Sequence, residues 1–229
     1  MDQENDRNDN KEDSMATPSK DTDNKDVKDL IFSPIKSPVA ELPKGNLTGK
    51  PRKLKDGAAD VHNLIFTWKG LNIDGTNLFN QIANIKLEKV FQVDGETEEE
   101  KCNLPSNLEP LCEQLLKLHK DMKRVVVKLV RITEMIKGII ELSDYQHGET
   151  ETEVFFKTWN LHDFFQTVSE ICEIFEKELK LKRCLIENIA HSDSRKLLMF
   201  YSAAWIHQPY ISAQLDFLVD SLLLETGLK

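Results

Sequence analysis

The sequence predicts an all-α fold: an elongated antiparallel helical bundle or coiled coil, with two short C-terminal helices and a disordered N-terminal tail. Apolar residues recur at alternating steps of three and four through most of the chain, which is the spacing of amphipathic helices. Glycine is sparse, at 9 among 229 residues, which argues against a β-sandwich with many tight turns. No apolar run approaches the roughly 20 residues that a membrane helix needs.

Residues 1–50 consist mostly of Asp, Asn, Lys, Ser and Pro. Such a segment buries too little apolar surface to offset the entropy that it loses on ordering. We therefore predict a disordered acidic and polar tail at 1–50 and a helical bundle or coiled-coil domain at 51–229. The chain starts without the apolar core of a signal peptide, so we expect an intracellular protein.

The tail contains two matches to Ser/Thr-Pro-x-Lys, the pattern that cyclin-dependent kinases prefer, in the segments TPSK and SPIK. Proline after the hydroxyl residue favours the extended backbone that a kinase groove accepts, and the lysine suits an acidic pocket. A weaker third copy follows directly. Thr17, Ser33 and Ser37 are therefore candidate phosphorylation sites.

The first helix is expected to begin near Leu54. Its apolar stripe consists of Val61, Leu64, Trp68, Leu71, Leu78, Ile82 and Ile85. Gly75 interrupts the stripe, and glycine costs roughly 1 kcal/mol in a helix interior. We therefore predict a kink or a break there. The residues from Arg52 to Leu54 also have the R-x-L form of a cyclin-docking motif, although the start of the helix is the favoured interpretation.

The strongest helical signal follows an acidic loop at 93–107. Its stripe steps by three and four without a miss, and it contains Leu108, Leu111, Leu115, Leu118, Met122, Val125, Leu129, Ile132, Ile136 and Ile139. Spacing that averages 3.5 residues is typical of a coiled-coil seam. Two long helices cannot bury such wide apolar faces on each other alone. Either the terminal helices or another chain covers the remainder, and we expect the residues from Leu108 to Ile136 to bind a partner chain in a hetero-oligomer.

The C-terminal region predicts three more helices. The stripe of the first of them includes Lys182, which is expected to snorkel or to meet a partner carboxylate. Pro209 removes an amide donor and disfavours helix at the preceding residue, so the second of these helices should end just before Pro209. The last helix should start near Ser212 and end at Gly227, a natural C-terminal cap.

The segment WIHQPY combines residue types that often line catalytic or metal sites. Here we interpret it as a helix corner for packing or docking, with Trp205, His207, Pro209 and Tyr210 as candidate partner-binding residues. The six histidines lack metal-ligand spacing, the four cysteines lack a C-x-x-C pair, and no phosphate-loop or esterase motif occurs. We therefore predict no enzyme activity, no cofactor and no metal. The formal net charge of −9 argues against direct nucleic-acid binding.

Five segments of the chain resemble the cyclin-dependent kinase 2-interacting protein family. They are RKLKDGAADVHNLIFTWKGLN from Arg52, KGIIELSDYQHGE from Lys137, KELKLKRCLIENIAH from Lys177, and WIHQPY together with the closing LLLETG. The resemblance covers most of residues 52–91 and 137–227. The chain departs from the family pattern at Val61, where that pattern has tryptophan, and in DYQHG, where it has a second aromatic residue.

The resemblance implies a nuclear, non-enzymatic adaptor. It implies association with cyclin-dependent kinase 2, with the replication-origin kinase and with the ATR-ATRIP checkpoint proteins. It also implies membership of an AAA-type ATPase assembly that remodels replication and pre-ribosomal complexes, together with a second small helical subunit. The alternative is a cyclin-dependent kinase-associated regulator or substrate that acts in replication and checkpoint signalling through its tail.

Overall fold

Helices account for all of the regular structure in the residues that the computed structural model describes, namely 47–92, 107–147 and 154–229. In chain order they are α1 (Gly49–Gln92), α2 (Leu108–His147), α3 (Leu161–Ile189), α4 (Arg195–His207) and α5 (Ala213–Glu225). This confirms the all-α prediction. The predicted tail falls largely outside the described residues, and so do its phosphorylation candidates Thr17, Ser33 and Ser37. The described residues belong to one unit, Ala40–Lys229.

The three long helices pack in alternating directions. Lys50, at the start of α1, donates a hydrogen bond over 3.1 Å to the hydroxyl of Ser143 near the end of α2, so these two helices are antiparallel. The ring of Trp68 on α1 meets Phe175 on α3 edge to face, with centroids 5.0 Å apart. Four residues further along α1, the side chain of Asn72 accepts a hydrogen bond from Lys182, so α1 and α3 run parallel.

Helices α4 and α5 also pack on α1 and α3. Near the start of α4, Asp193 forms an ion pair of 2.7 Å with Lys86 on α1. Near its end, Trp205 donates a hydrogen bond to the carbonyl of Asn72, so α4 runs antiparallel to α1. Helix α5 continues beyond a sharp corner after His207. The two short helices therefore lie one after the other along α1 and α3. Together they take the place of a fourth long helix that is interrupted once.

Helix α1 differs from its prediction at two places. It begins at Gly49 rather than near Leu54, and it continues through Gly75 over 44 residues. The predicted break at Gly75 is therefore wrong, while the alternative of a kink at Gly75 stays a prediction. The glycine at this position serves a packing contact and does not mark the end of a helix, because the ring of Trp205 packs on the backbone of Gly75.

Hydrogen bonds cap the start of α3 and the end of α5. Asn160 and Asp163 form a capping box at the start of α3, where each side chain accepts a hydrogen bond from the other residue's backbone amide. At the end of α5, Gly227 has a φ of 63°. Its amide and that of Leu228 donate back to the carbonyls of Leu224 and Leu223, which is a Schellman motif and confirms the predicted glycine cap.

None of the described helices is both long enough and apolar enough to cross a membrane.

Candidate functional site

The corner between α4 and α5 is formed where the sequence predicts it. Helix α4 ends at His207, and Gln208 adopts a left-handed backbone with a φ of 45°. The amide of Ile211 then donates to the carbonyl of Gln208 over 2.8 Å, which closes the turn. The side chain of Gln208 accepts a hydrogen bond of 2.8 Å from the indole of Trp68 on α1. The corner is therefore attached to the bundle rather than free.

Trp205 lies inside the chain's own core and has no exposed surface. Its ring stacks on Phe79, with centroids 4.4 Å apart and an interplanar angle of 26°. Its indole nitrogen donates to the carbonyl of Asn72 over 3.2 Å. A Cβ atom on Gly75 would stand 2.2 Å from the ring carbon Cζ2, closer than any van der Waals contact allows. Glycine at position 75 is therefore what admits the indole, and Trp205 serves packing within the chain.

A buried ion pair supports the same corner. Glu178 and Lys182 stand one turn apart on α3, are fully buried, and are 3.5 Å apart between Oε1 and Nζ. Lys182 also donates a hydrogen bond of 2.7 Å to the side chain of Asn72, and a second hydrogen bond to the carbonyl of Trp205. Its ammonium lies 4.1 Å from the centre of the Trp205 ring. The other carboxylate oxygen of Glu178 accepts from the amide of Tyr210 over 3.2 Å. The pair thus joins α1, α3, α4 and the corner.

Burial changes the protonation of both partners. It lowers the pKa of Lys182 to about 8, although the nearby Glu178 carboxylate acts in the opposite direction. Burial also raises the pKa of Glu178, and the charge of Lys182 and the Tyr210 amide counteract this only in part. Lys182 meets a carboxylate, as one of the two sequence interpretations expected. The carboxylate belongs to its own helix.

The other three predicted corner residues behave differently from Trp205. His207, Pro209 and Tyr210 are exposed, and the side chain of Tyr210 is 49% accessible. Among the residues that the structure describes, no group of three or more His, Cys, Asp or Glu could hold a metal ion. Burial raises the pKa of Cys172 to about 11, so its thiol is protonated at neutral pH and is a weak nucleophile.

The predicted partner-binding stripe of α2 lies in the interior. Eight of its nine residues are buried and Leu111 is half-buried, and they contact the neighbouring long helices; the nine are Leu108, Leu111, Leu115, Leu118, Met122, Val125, Leu129, Ile132 and Ile136. A partner would have to displace α1 or α3 to reach them. Their role in partner binding stays a prediction, while their role in the core of the bundle is visible.

The R-x-L segment is not accessible as a docking motif in this fold. Leu54 is only 2% exposed and belongs to the core. Arg52 is held by Asp56, one turn further on, at 2.8 Å. A cyclin groove would need the leucine side chain, so this segment acts as the start of α1, as the favoured interpretation expected.

Helix α4 exposes a set of large apolar side chains that the sequence analysis did not single out. They lie away from the buried Leu198 and Trp205, and we call them the α4 apolar face: Leu197, Met199, Phe200 and Ile206. Phe200 is 61% exposed and Met199 is 59% exposed. A signal for this face was present in RKLLMFYSAAWIH, because its apolar residues are distributed around the whole helix rather than along one side.

A shallow groove borders the α4 apolar face. Ala83 and Leu87 from α1 form one wall, and Met199, Ala203 and Ile206 from α4 form the other. A large apolar patch beside a groove is typical of a protein-docking surface rather than of an ordinary solvated helix. The arrangement can therefore accept an apolar side chain or a helix from another protein, and polar side chains that include Ser202 and His207 also line the groove.

Comparison with known proteins identifies relatives along most of the chain. It is 35% identical over 200 residues to the cyclin-dependent kinase 2-interacting protein of Xenopus laevis, covering 84% of this chain and 97% of that protein. It is also 35% identical over 193 residues to the proteins of the same name from Bos taurus and Homo sapiens, covering 79% of this chain and 91% of each relative. No family model matches.

Proposed function

The chain belongs to the cyclin-dependent kinase 2-interacting protein family, and from this premise we propose that it is a non-enzymatic helical adaptor that docks partner proteins on its α4 apolar face. Cyclin-dependent kinase 2 is the first of these partners, because the relatives are named for that interaction. The observation that carries the proposal is the unequal burial of α4. Its sequence is apolar on all sides, yet only Leu198 and Trp205 are fully buried.

The energetics favour a covered face. Burying one large apolar side chain contributes about 1.5–3 kcal/mol, so side chains such as Met199 and Phe200 represent a substantial gain on docking. The groove beside them suits a helix from another protein, which would place apolar anchors at successive turns. The buried Glu178–Lys182 pair and Trp205 hold α4 in place from below. A docking helix would thus meet a surface that is already ordered.

The proposal extends to a larger assembly. We propose that this adaptor is a nuclear subunit of an AAA-type ATPase complex acting in DNA replication, genome maintenance and large ribosomal subunit maturation. A second small helical subunit, the replication-origin kinase and the ATR-ATRIP checkpoint proteins are further proposed partners. The sequence resemblance at residues 52–91 and 137–227 supports this extension. The mechanism is passive, since the adaptor positions clients and the ATPase supplies the energy.

A second candidate function rests on the tail. The segments TPSK and SPIK favour a cyclin-dependent kinase-associated regulator or substrate that acts through Thr17, Ser33 and Ser37. The two functions place the essential residues in different parts of the chain, so one experiment separates them.

That experiment is quantitative co-purification of the tagged full-length chain from cells. Three variants are compared with the wild type: Met199→Asp with Phe200→Asp, deletion of residues 1–46, and alanine at Thr17, Ser33 and Ser37. The adaptor proposal expects the first variant to lose cyclin-dependent kinase 2 and the ATPase subunits while the tail variants retain them. Loss of both only in the tail variants would reject the adaptor proposal in favour of the regulator.

A further inference from the structure

The exposed side of α2 bears a cluster of cations that the adaptor surface on α4 does not explain. We call it the basic stripe, and it consists of Lys117, Lys120, Lys123, Arg124, Lys128 and Arg131. All six are exposed and project away from the buried seam of the same helix. From Lys117 to Arg131 they cover about 21 Å at 1.5 Å per residue. The whole chain has a net charge of −9, so the stripe is a positively charged surface on a negatively charged protein.

Most cations of the stripe have no ion-pair partner among the described residues. Elsewhere on the surface, cations pair with acids one turn away, as Arg52 does with Asp56 and Arg183 with Glu187. Within the described ranges, Arg124 is the only member of the stripe with an ion pair, and its partner is Asp121. Asp60 on α1 shares a depression with Lys128 and Arg131 without coming within ion-pair distance of either.

The spacing makes the cations repel one another. Lys120 and Arg124, Arg124 and Lys128, and Lys128 and Arg131 are neighbours at three or four residues on the helix. Like charges at that spacing weaken a helix, by a few tenths of a kcal/mol per pair. The repulsion disappears when an anionic partner covers the stripe. The ion pair between Arg124 and Asp121 offsets part of this repulsion in the free chain, and a bound anion would remove the remainder.

We propose that the basic stripe docks an acidic helix or peptide of a partner protein. The side chains of Lys120, Lys123, Lys128 and Arg131 surround Val127, which is 40% exposed at the centre of the stripe. An acidic segment with apolar residues matches both the charge and this apolar centre. The stripe has no aromatic side chain on which a base could stack, and the acidic chain around it disfavours a long polyanion such as DNA. This surface is separate from the α4 apolar face.

The test measures binding to the purified full-length chain by fluorescence anisotropy at low salt. The probes are a labelled amphipathic peptide of Glu and Leu, its counterpart with every Glu replaced by Gln, and a labelled DNA duplex. The stripe variant has Lys120→Glu, Lys128→Glu and Arg131→Glu. The control has the same charge change at exposed lysines elsewhere, as Lys53→Glu, Lys157→Glu and Lys180→Glu.

The wild type should bind the Glu peptide, and the Gln peptide much less. The stripe variant should weaken Glu-peptide binding by about tenfold, while the control should change it by less than about twofold. Three results would each overturn the proposal: no binding of the Glu peptide by the wild type, an equal loss in the control, or a DNA duplex that binds more tightly than the peptide and is lost in the stripe variant. Unchanged thermal unfolding verifies that both variants are folded.

Discussion

The indole of Trp205 on α4 rests directly on Gly75 of α1, so closely that a Cβ atom on that glycine would stand 2.2 Å from Cζ2. This contact explains two features that seemed unrelated in the sequence. The glycine in the middle of α1 leaves space for the indole ring. The tryptophan of the WIHQPY segment is a core residue that attaches α4 to α1.

Gly75→Ala should destabilise the protein by about 1–3 kcal/mol, because the added methyl group overpacks the seat of the indole ring. Gly70 provides a matched control on the same helix, since a Cβ atom there meets nothing within 4 Å. Gly70→Ala should stabilise the protein by about 0.5–1 kcal/mol through helix propensity. Urea denaturation measures both. Equal effects of the two substitutions would contradict the contact.

Trp205→Ala should cost about 3–5 kcal/mol, because it removes a fully buried ring together with its stacking on Phe79. The same change empties the space above Gly75. Gly75→Ala should therefore lose its penalty in the Trp205→Ala background. A double-mutant cycle measures this coupling, and strictly additive effects would show that the two residues do not meet.

Lys182→Met should destabilise the protein by about 3 kcal/mol or more, since it leaves the buried carboxylate of Glu178 without its cation. Adding Glu178→Gln should recover most of this loss, because the uncompensated charge is gone and the new side chain can still accept from the Tyr210 amide. Chemical denaturation of the single and double variants measures the recovery. A double variant no more stable than Lys182→Met alone would refute the interpretation.

Glu225 ties the end of α5 to the residues before α3. One carboxylate oxygen accepts hydrogen bonds from the amides of Lys157, Thr158 and Trp159 at 2.7, 2.7 and 3.0 Å, and the other accepts from the Thr158 hydroxyl. Burial acts to raise the pKa of this carboxyl, but the hydrogen bonds act more strongly together and hold it below its ordinary value of 4.5.

Glu225→Gln should therefore destabilise the protein at neutral pH by about 1–2 kcal/mol, because a neutral amide accepts these hydrogen bonds less strongly. A lowered folded-state pKa stabilises the protein fully above pH 4.5, and the effect is lost as the pH falls through the folded-state value. The difference in the free energy of unfolding between wild type and variant should consequently become smaller below pH 4.5. Urea denaturation at a series of pH values measures this difference. A difference in stability that does not change with pH would show that the charge of the Glu225 carboxylate does not stabilise the fold.

The sequence was informative wherever one local signal decides a local structure. Pro209 ends α4, and Gly227 caps α5, because each acts on its own backbone. The stripe from Leu108 to Ile136 was identified for the same reason, since its periodicity is a property of one helix. Periodicity shows that a face is covered, but it carries no information on which chain covers it. Here the bundle itself covers the stripe, and the binding of a partner chain to these residues stays a prediction.

What the sequence could not provide depends on distant residues. Three long-range contacts join residues at least 66 positions apart: the packing of Trp205 on Gly75, the hydrogen bond from Lys182 to Asn72, and the hydrogen bonds that Glu225 accepts from the amides before α3. No spacing rule relates such pairs. The α4 apolar face was missed for another reason. Apolar residues around the whole helix predict burial, and only the packing of α4 on one side shows that the other side is left exposed.

The most direct test of the adaptor proposal is the affinity of the purified full-length chain for purified cyclin-dependent kinase 2, measured by isothermal titration calorimetry. Met199→Asp with Phe200→Asp alters the α4 apolar face. Phe66→Asp is the control, because Phe66 is 75% exposed on α1 and lies outside that face. We predict that the α4 variant weakens binding by at least about tenfold, as expected for the loss of apolar anchors, while Phe66→Asp stays within about twofold of the wild type. Wild-type affinity in the α4 variant would contradict the proposal.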